Sequence, residues 1–263
     1  MSTILDKIVA NRREEVSSLK KTLPLSEIKE RIDLAYKTNS LRKALITEGA
    51  SGIIAEFKRR SPSKGIINDK VLPEVITKGY ADAGASGLSV LTDETFFGGN
   101  SSDLIAAREA NPHIPILRKD FMVDEYQFYE ARMLKADVIL LIAAVLDKRA
   151  ISDFSSLAHE LGMEVLLELH DESELEKIDD RVDMIGINNR NLKDFSIDME
   201  RSLKLLEQLP EKAIKISESG LSDPEMVNQL RAKGFNGFLM GENFMKTYNP
   251  TEACRNFISK LTR

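Results

Sequence analysis

Residues 52–65 read "GIIAEFKRRSPSKG". The stretch begins as a buried strand, with Ile53, Ile54 and Ala55 apolar and Phe57 following, and it ends in Pro, Ser and Gly, the residues of a turn. Inside it sit two opposite charges, Glu56 and Lys58. Strand side chains alternate, so the two share one face. That face is either the solvated side of an edge strand or the wall of a pocket. The rest of the chain has to decide.

Downstream the pattern repeats. Strand-like runs fall at 52–59, 87–92, 114–121, 136–145, 163–170, 183–190, 213–220 and 237–243. Helical runs fill the gaps: 72–84 with Leu72, Val75, Ile76 and Tyr80 as its apolar stripe, 147–162 closing on Gly162, 171–180 opening on Asp171, and 223–234 between an Asp223 cap and Gly234. Strand and helix alternating about eight times predicts a (β/α)8 TIM barrel. An open doubly wound sheet is the rival. The count of eight, and the lack of a Gly-x-Gly-x-x-Gly turn after the first strand, favour the barrel.

Residues 1–50 stand outside the rhythm. They predict two helices, separated near Pro24, that extend the barrel at its N-terminus and pack on its mouth through Ile4, Ile8, Val9, Leu41, Ala44 and Leu45. This extension is expected to serve substrate binding more than barrel stability. The barrel takes up 51–263, the whole forming a single domain, with no second enzyme expected after it.

Composition narrows the classes. A chain of 263 residues with net charge −5 and no basic stripe argues against nucleic acid as the main partner. Its single cysteine, Cys254, excludes a disulfide framework and fits a reducing compartment. The charged N-terminus is not a signal peptide, and the longest apolar run, "VILLIAAVL" at 138–146, is too short for a bilayer. A soluble, cytoplasmic protein without membrane partners is expected.

Polar residues fall late in the strands and with consistent parity: Lys119 and Phe121 with Leu117, Glu168 with Leu166, Asn188 and Arg190 with Gly186, Glu218 with Ile216. Strand C-termini form the active mouth of such a barrel. A solvated-face explanation must hold independently for five strands at one end, so the pocket reading prevails for Glu56 and Lys58. "SESG" at 217–220 and "MGEN" at 240–243 offer small residues and a short helix start for a phosphate, with Ser61 a further donor. The loop "DETFFGG" at 93–99 either offers Phe96 and Phe97 to an aromatic substrate or packs them beneath itself. His113, His159 and His170 are not at metal-ligand spacing, and only His170 falls at a strand end.

The stretches "IIAEFKRRSPSKG", "LSVLTDETFFGGN", "ILRKDFMVDEYQFYEAR", "LLELHDESELEK", "IGINNRNLKDF", "ISESGL" and "GFLMGENFMK" resemble, in order and over nearly the whole chain, the indole-3-glycerol-phosphate synthase family of tryptophan biosynthesis. The resemblance implies a lyase without metal or cofactor. Its substrate would be 1-(2-carboxyphenylamino)-1-deoxyribulose 5-phosphate, closed to indole-3-glycerol phosphate with loss of CO₂ and water. Lys119 would be the general acid at the carbonyl oxygen, and Glu168 would stabilise or exchange protons with the ring cation. Lys58, Glu56 and Asn188 would position substrate and assist dehydration, with Lys58 and Arg190 near the carboxylate. Glu218 would orient Lys119. Ser219 counts with the catalytic set and, with Ser61, Gly220 and Gly241, would hold the phosphate, while Phe97 and Phe121 would meet the aromatic ring. Glu242, beside the phosphate loop, would repel the anion, so its carboxylate is expected to point away. Another phosphate-binding barrel enzyme, an isomerase or a Schiff-base aldolase, is the alternative. A monomer or weak homo-oligomer is expected.

Overall fold

Eight short parallel strands pair edge to edge until the last meets the first. They are β1 (Ile53–Phe57), β2 (Gly87–Leu91), β3 (Ile116–Lys119), β4 (Val138–Ile142), β5 (Glu164–Leu169), β6 (Met184–Asn188), β7 (Ile214–Glu218) and β8 (Gly237–Met240). The order runs sequentially and closes through β1 with β8, in register Ile54 with Leu239, and β1 with β2, in register Glu56 with Ser89. The computed structural model describes residues 3–33, 35–191 and 195–262. Residues 192–194 of the quoted "NNRNLKDF" motif lie outside the described residues. Each expected strand is present and shorter at one or both ends.

Alternation explains why the strands are apolar on both sides. Outward residues such as Ile53, Ala55, Phe57, Val165 and Leu167 pack under the helices. Inward residues Ile54, Leu117, Val138, Leu140, Leu166, Met184, Ile214, Ile216 and Leu239 fill the barrel interior.

The N-terminal segment holds three helices, not two: α1 (Ile4–Thr22), α2 (Leu25–Arg31) and α3 (Leu41–Ile46). The break in the expected second helix has local causes. Asn39 turns its N–H to Asp137 (2.9 Å), and Ser40 caps α3 by accepting from the Lys43 N–H (3.1 Å). Only α1 reaches the mouth, where Ile4, Leu5 and Ile8 line the cleft. Val16 of α1 and Ile28 of α2 pack with Tyr126 on the barrel flank. α3 goes to the opposite end. Leu41 and Leu45 enter the interior cluster, and Gly87 and Gly237 lack the Cβ atoms that would crowd them. Glu164, at the start of β5, accepts the backbone N–H of Leu41 (2.9 Å) and Arg42 (3.0 Å), satisfying the donors at the α3 N-terminus.

The outer helices are α4 (Pro73–Asp82), α5 (Ser101–Ala110), α6 (Tyr126–Met133), α7 (Lys148–Glu160), α8 (Met199–Gln208), α9 (Pro224–Ala232), the short α10 (Glu242–Met245) and α11 (Pro250–Ile258). Asp223 caps α9 as expected, and Asp147 caps α7. Two expectations need correction. On α4 the buried stripe is Pro73, Ile76, Thr77 and Tyr80, while Leu72 and Val75 are each 59% exposed. The former set keeps the i, i+3, i+4, i+7 spacing of one helix face, and Thr77 is admitted because its hydroxyl donates to the Pro73 carbonyl (2.7 Å). The run after β5 is a 3-10 helix, Glu172–Lys177, because Glu174 is drawn back to accept the His170 N–H (2.7 Å). Among the described residues no helix is long and apolar enough to cross a membrane.

Candidate active site

The C-terminal strand ends open into one cleft of about 1190 Å³, part of it open to solvent. Glu56, Lys58, Ser61, Phe97, Lys119, Phe121, Glu168, Asn188, Arg190, Glu218, Ser219, Gly220, Gly241 and Glu242 all line it. Strand parity brings them together: each inward polar residue caps a column whose lower members, such as Leu117 under Lys119 and Leu166 under Glu168, fill the interior.

Glu56 is buried at the end of β1, and Lys58 reaches back to its Oε1 at 2.6 Å. Ser89 of β2 stands 3.4 Å from the other oxygen. Gly241 leaves room for this carboxylate: a Cβ there would lie 2.7 Å from Glu56 Oε1.

At the base of the cleft Lys119 Nζ lies 2.6 Å from Glu168 Oε2 and 3.5 Å from Glu218 Oε2. Asn188 donates to Glu168 Oε1 at 3.0 Å. Gly186 is required beneath them, since any Cβ would overlap Glu218 Oε1. Burial works against the Lys119 ammonium, but Glu168, Glu218 and Glu56 outweigh it and hold the lysine above its usual range. Burial likewise opposes charge on Glu168, and Lys119 with His170 overcomes it, so this carboxyl sits well below its ordinary value. Glu218 goes the other way. Burial pushes it up to about 8, against the pull of Lys119, and the charges of Glu168 and Glu56 add to the rise. One lysine thus faces one ionised and one proton-holding carboxyl, an arrangement that separates acid and base roles.

At the rim, Ser219 and Gly220 both adopt left-handed backbone, with φ of 68° and 74°. For serine that conformation is uncommon. Buried Asn189 holds the turn by donating to the Ser219 carbonyl (2.7 Å) and to Ser217 Oγ (3.1 Å). Glu242 opens α10 and does not point away from the cleft. It lies 3.6 Å from Arg190 Nη2 and 3.8 Å from Lys64 Nζ, two cations that draw it inward. Ser61 lies in a two-residue hairpin strand, Arg60–Ser61, paired with Gly65–Ile66. Phe97 faces Phe121 with ring centroids 6.0 Å apart. Phe96 does not line the cleft. Asp93 turns that loop by accepting the N–H groups of Phe96 (2.7 Å) and Phe97 (3.1 Å).

Sequence reasoning undervalued two lining residues. His170 continues the parity of Leu166 and Glu168, which was a usable signal, and its side chain is buried beside Glu168. Asp120 gave no sequence signal. It is paired with Arg12 of α1 and lies 3.0 Å from Arg118 Nη2, both of which hold it ionised against burial. His159 is tied to Asp183 (2.8 Å) away from the mouth. Among the described residues no group of three or more His, Cys, Asp or Glu is placed to hold a metal ion.

A closed parallel barrel with buried lysine–glutamate pairs at its mouth defines an acid–base enzyme of the (β/α)8 class. The fold itself is shared with 3-hexulose-6-phosphate synthase from Salmonella typhimurium, at TM-score 0.64 and 14% identity over 80% of this chain and 98% of that one. The family described as indole-3-glycerol phosphate synthase matches residues 5–257. The indole-3-glycerol phosphate synthase of Bacteroides thetaiotaomicron is 50% identical over 99% of this chain and 100% of its own length. Those of Polaromonas sp. (45%; 95% of this chain, 96% of that one) and Laribacter hongkongensis (44%; 96% and 98%) are similar over comparable spans. The chain belongs to the indole-3-glycerol phosphate synthase family, carboxy-lyases of tryptophan biosynthesis.

Proposed function

We propose that this mouth converts 1-(2-carboxyphenylamino)-1-deoxyribulose 5-phosphate to indole-3-glycerol phosphate, with Lys119 as the acid that starts the reaction. The observation that carries the reading is Lys119 seated between Glu168 and Glu218, 2.6 and 3.5 Å away, and held protonated. Attack of the aromatic carbon on the ketone develops negative charge on oxygen. The ammonium stabilises that charge and delivers the proton, so the positive charge passes from lysine to ring. Glu168, ionised and adjacent, stabilises the ring cation. Loss of CO₂ returns an electron pair to the ring and removes that charge. Dehydration then needs a base at carbon, a role for Glu168 held by Asn188, and an acid at the departing hydroxyl, a role for Lys58 held by Glu56. Arg190 and Lys58 receive the carboxylate. Glu218 orients Lys119. The Ser219–Gly220 turn, Gly241, Ser61 and the α10 start receive the phosphate, with Glu242 fixing Arg190 and Lys64 beside it. Phe97 and Phe121 flank the aromatic ring.

The protonated state of Lys119 speaks against a Schiff-base aldolase, whose lysine must attack as a free amine. We further infer a cytoplasmic enzyme, monomeric or weakly associated, whose residues 1–50 act with the barrel as one unit. The test is incubation with the carboxyphenylamino-deoxyribulose phosphate while following indole fluorescence. Stoichiometric indole-3-glycerol phosphate supports the reading. Absence of turnover, or borohydride trapping of a lysine adduct, overturns it.

A further inference from the structure

His170 directly follows β5 and shares the inward face of Glu168. It is only 7% exposed and lines the cleft. Its Nε2 lies 3.0 Å from Glu168 Oε1, and its Nδ1 lies 4.0 Å from Glu174 Oε2. Nε2 is within ion-pair reach of Glu168 but off the line of a hydrogen bond, and Nδ1 is buried without a hydrogen-bond partner. An unpaired buried polar group is costly, and one at a reaction centre calls for an explanation. Glu174 is itself buried and fixed by the His170 N–H, so the imidazole stands between two carboxylates. Beyond Glu168 the next titratable groups are Lys119 at 2.6 Å and then Glu218.

The proposed reaction changes the charge on one side of this chain of groups. When Lys119 gives its proton to the carbonyl oxygen it becomes a neutral amine. Glu168 then faces the ring cation in its place, and once loss of CO₂ has removed that charge Glu168 keeps its own in a buried site next to Glu218. Asn188 contributes a neutral donor only. Among the described residues in contact with Glu168, the remaining group able to become cationic is His170. A small ring rotation turns Nε2–H onto Oε1, and a ring with a proton on each nitrogen can donate to Glu168 and Glu174 together.

We propose that His170 is a positioning residue for the ring-closing reaction, holding Glu168 in place and charged while Lys119 is discharged. This rests on the assignment of Lys119 and Glu168 above. No proton passes between His170 and the substrate in this role.

The experiment is a kinetic double-mutant cycle on the full chain, with circular dichroism and melting to confirm folding. His170→Ala is expected to lower kcat by about tenfold to a hundredfold with KM within about twofold, since the lost contact acts in the transition state. His170→Gln, which keeps a donor that can reach Glu168, is expected to recover most of kcat. In a Glu168→Gln background, His170→Ala is expected to add no further loss, because it acts through that carboxylate. Losses that multiply in the double variant would overturn the proposal, as would a His170→Ala enzyme with wild-type kcat. If Glu168→Gln alone left kcat unchanged, the assignment of Glu168 would fail instead.

Discussion

The charge on Lys119 is the most consequential property of a single residue here. Its buried ammonium is stabilised by carboxylates that cannot follow the proton it gives away. Lys119→Met removes acid and charge while keeping the side chain's length, and kcat is expected to fall by about 10²–10⁴-fold with a smaller change in KM, read from steady-state fluorescence. Glu218 gives a stability prediction. Its carboxyl is raised to about 8 by burial, so its contribution to stability is complete below its unfolded value and is lost as pH rises through about 8. Glu168 is shifted downward and Lys119 upward, so neither titrates in that window. Glu218→Gln is therefore expected to flatten the fall in melting temperature between pH 5 and 9. A gain for the variant at pH 9 of about 2 kcal/mol would show as about 4–8 °C. Identical pH profiles for the two proteins would refute the assignment. Much of this was readable before any coordinates, because a strand's parity survives in sequence: Glu56 and Lys58, or Leu166, Glu168 and His170, fall on one face by counting in twos. What parity does not reveal is distance across the barrel. That Gly186 is empty for the sake of Glu218, or that Glu242 turns toward Arg190, depends on partners far away in the chain.

At the scale of elements, the N-terminal helices divide their work. α1 lies over the mouth and is anchored by Arg12, whose guanidinium is buried against Asp120, the residue after Lys119. Asp120 also accepts from Thr92 (2.6 Å) and Arg118 (3.0 Å), so a rigid network joins α1 to the catalytic end of β3. By contrast, the segment before α3 holds the barrel's far end through Asn39 with Asp137 and Ser40 with Glu164. The apolar stripes Ile4, Ile8, Val9 and Leu41, Ala44, Leu45 announce helices that need a partner, but not which pole of the barrel each one covers. Removing residues 1–22 should therefore raise KM by about tenfold and lower kcat, with a modest drop in melting temperature, since lid closure is lost while strands and outer helices persist. Removing residues 1–40 should cost markedly more stability, because Asp137 and Glu164 lose buried partners. Equal melting of the two truncations would show that the division is wrong.

Across the whole molecule the barrel has a dry pole and a wet one. Toward α3 the interior is packed with Leu41, Leu45, Ile54, Val138, Met184 and Ile214, with Asp137 and Glu164 at its edge tied to the α3 segment. Toward the mouth it is Glu56, Lys119, Glu168 and Glu218, all needing desolvation and none of them a good filler. The apolar end supplies the free energy that lets the charged end exist, which is how such a fold separates stability from chemistry. Leu41 tests this separation. It is fully buried, seated against Gly87, and far from every residue assigned a chemical role. Leu41→Ala is expected to cost about 2–5 kcal/mol by lost transfer energy and a cavity. In a chain of this size that is a fall of about 4–20 °C in melting temperature. At 25 °C the surviving folded protein should show wild-type kcat and KM, because the strand register that sets Lys119 against Glu168 is carried by backbone pairing along β3, β4 and β5, which the substitution leaves intact. Thermal melting and steady-state kinetics on the same sample decide it. A loss of kcat without a loss of melting temperature would mean that the two poles are coupled, and that α3 belongs to the catalytic apparatus.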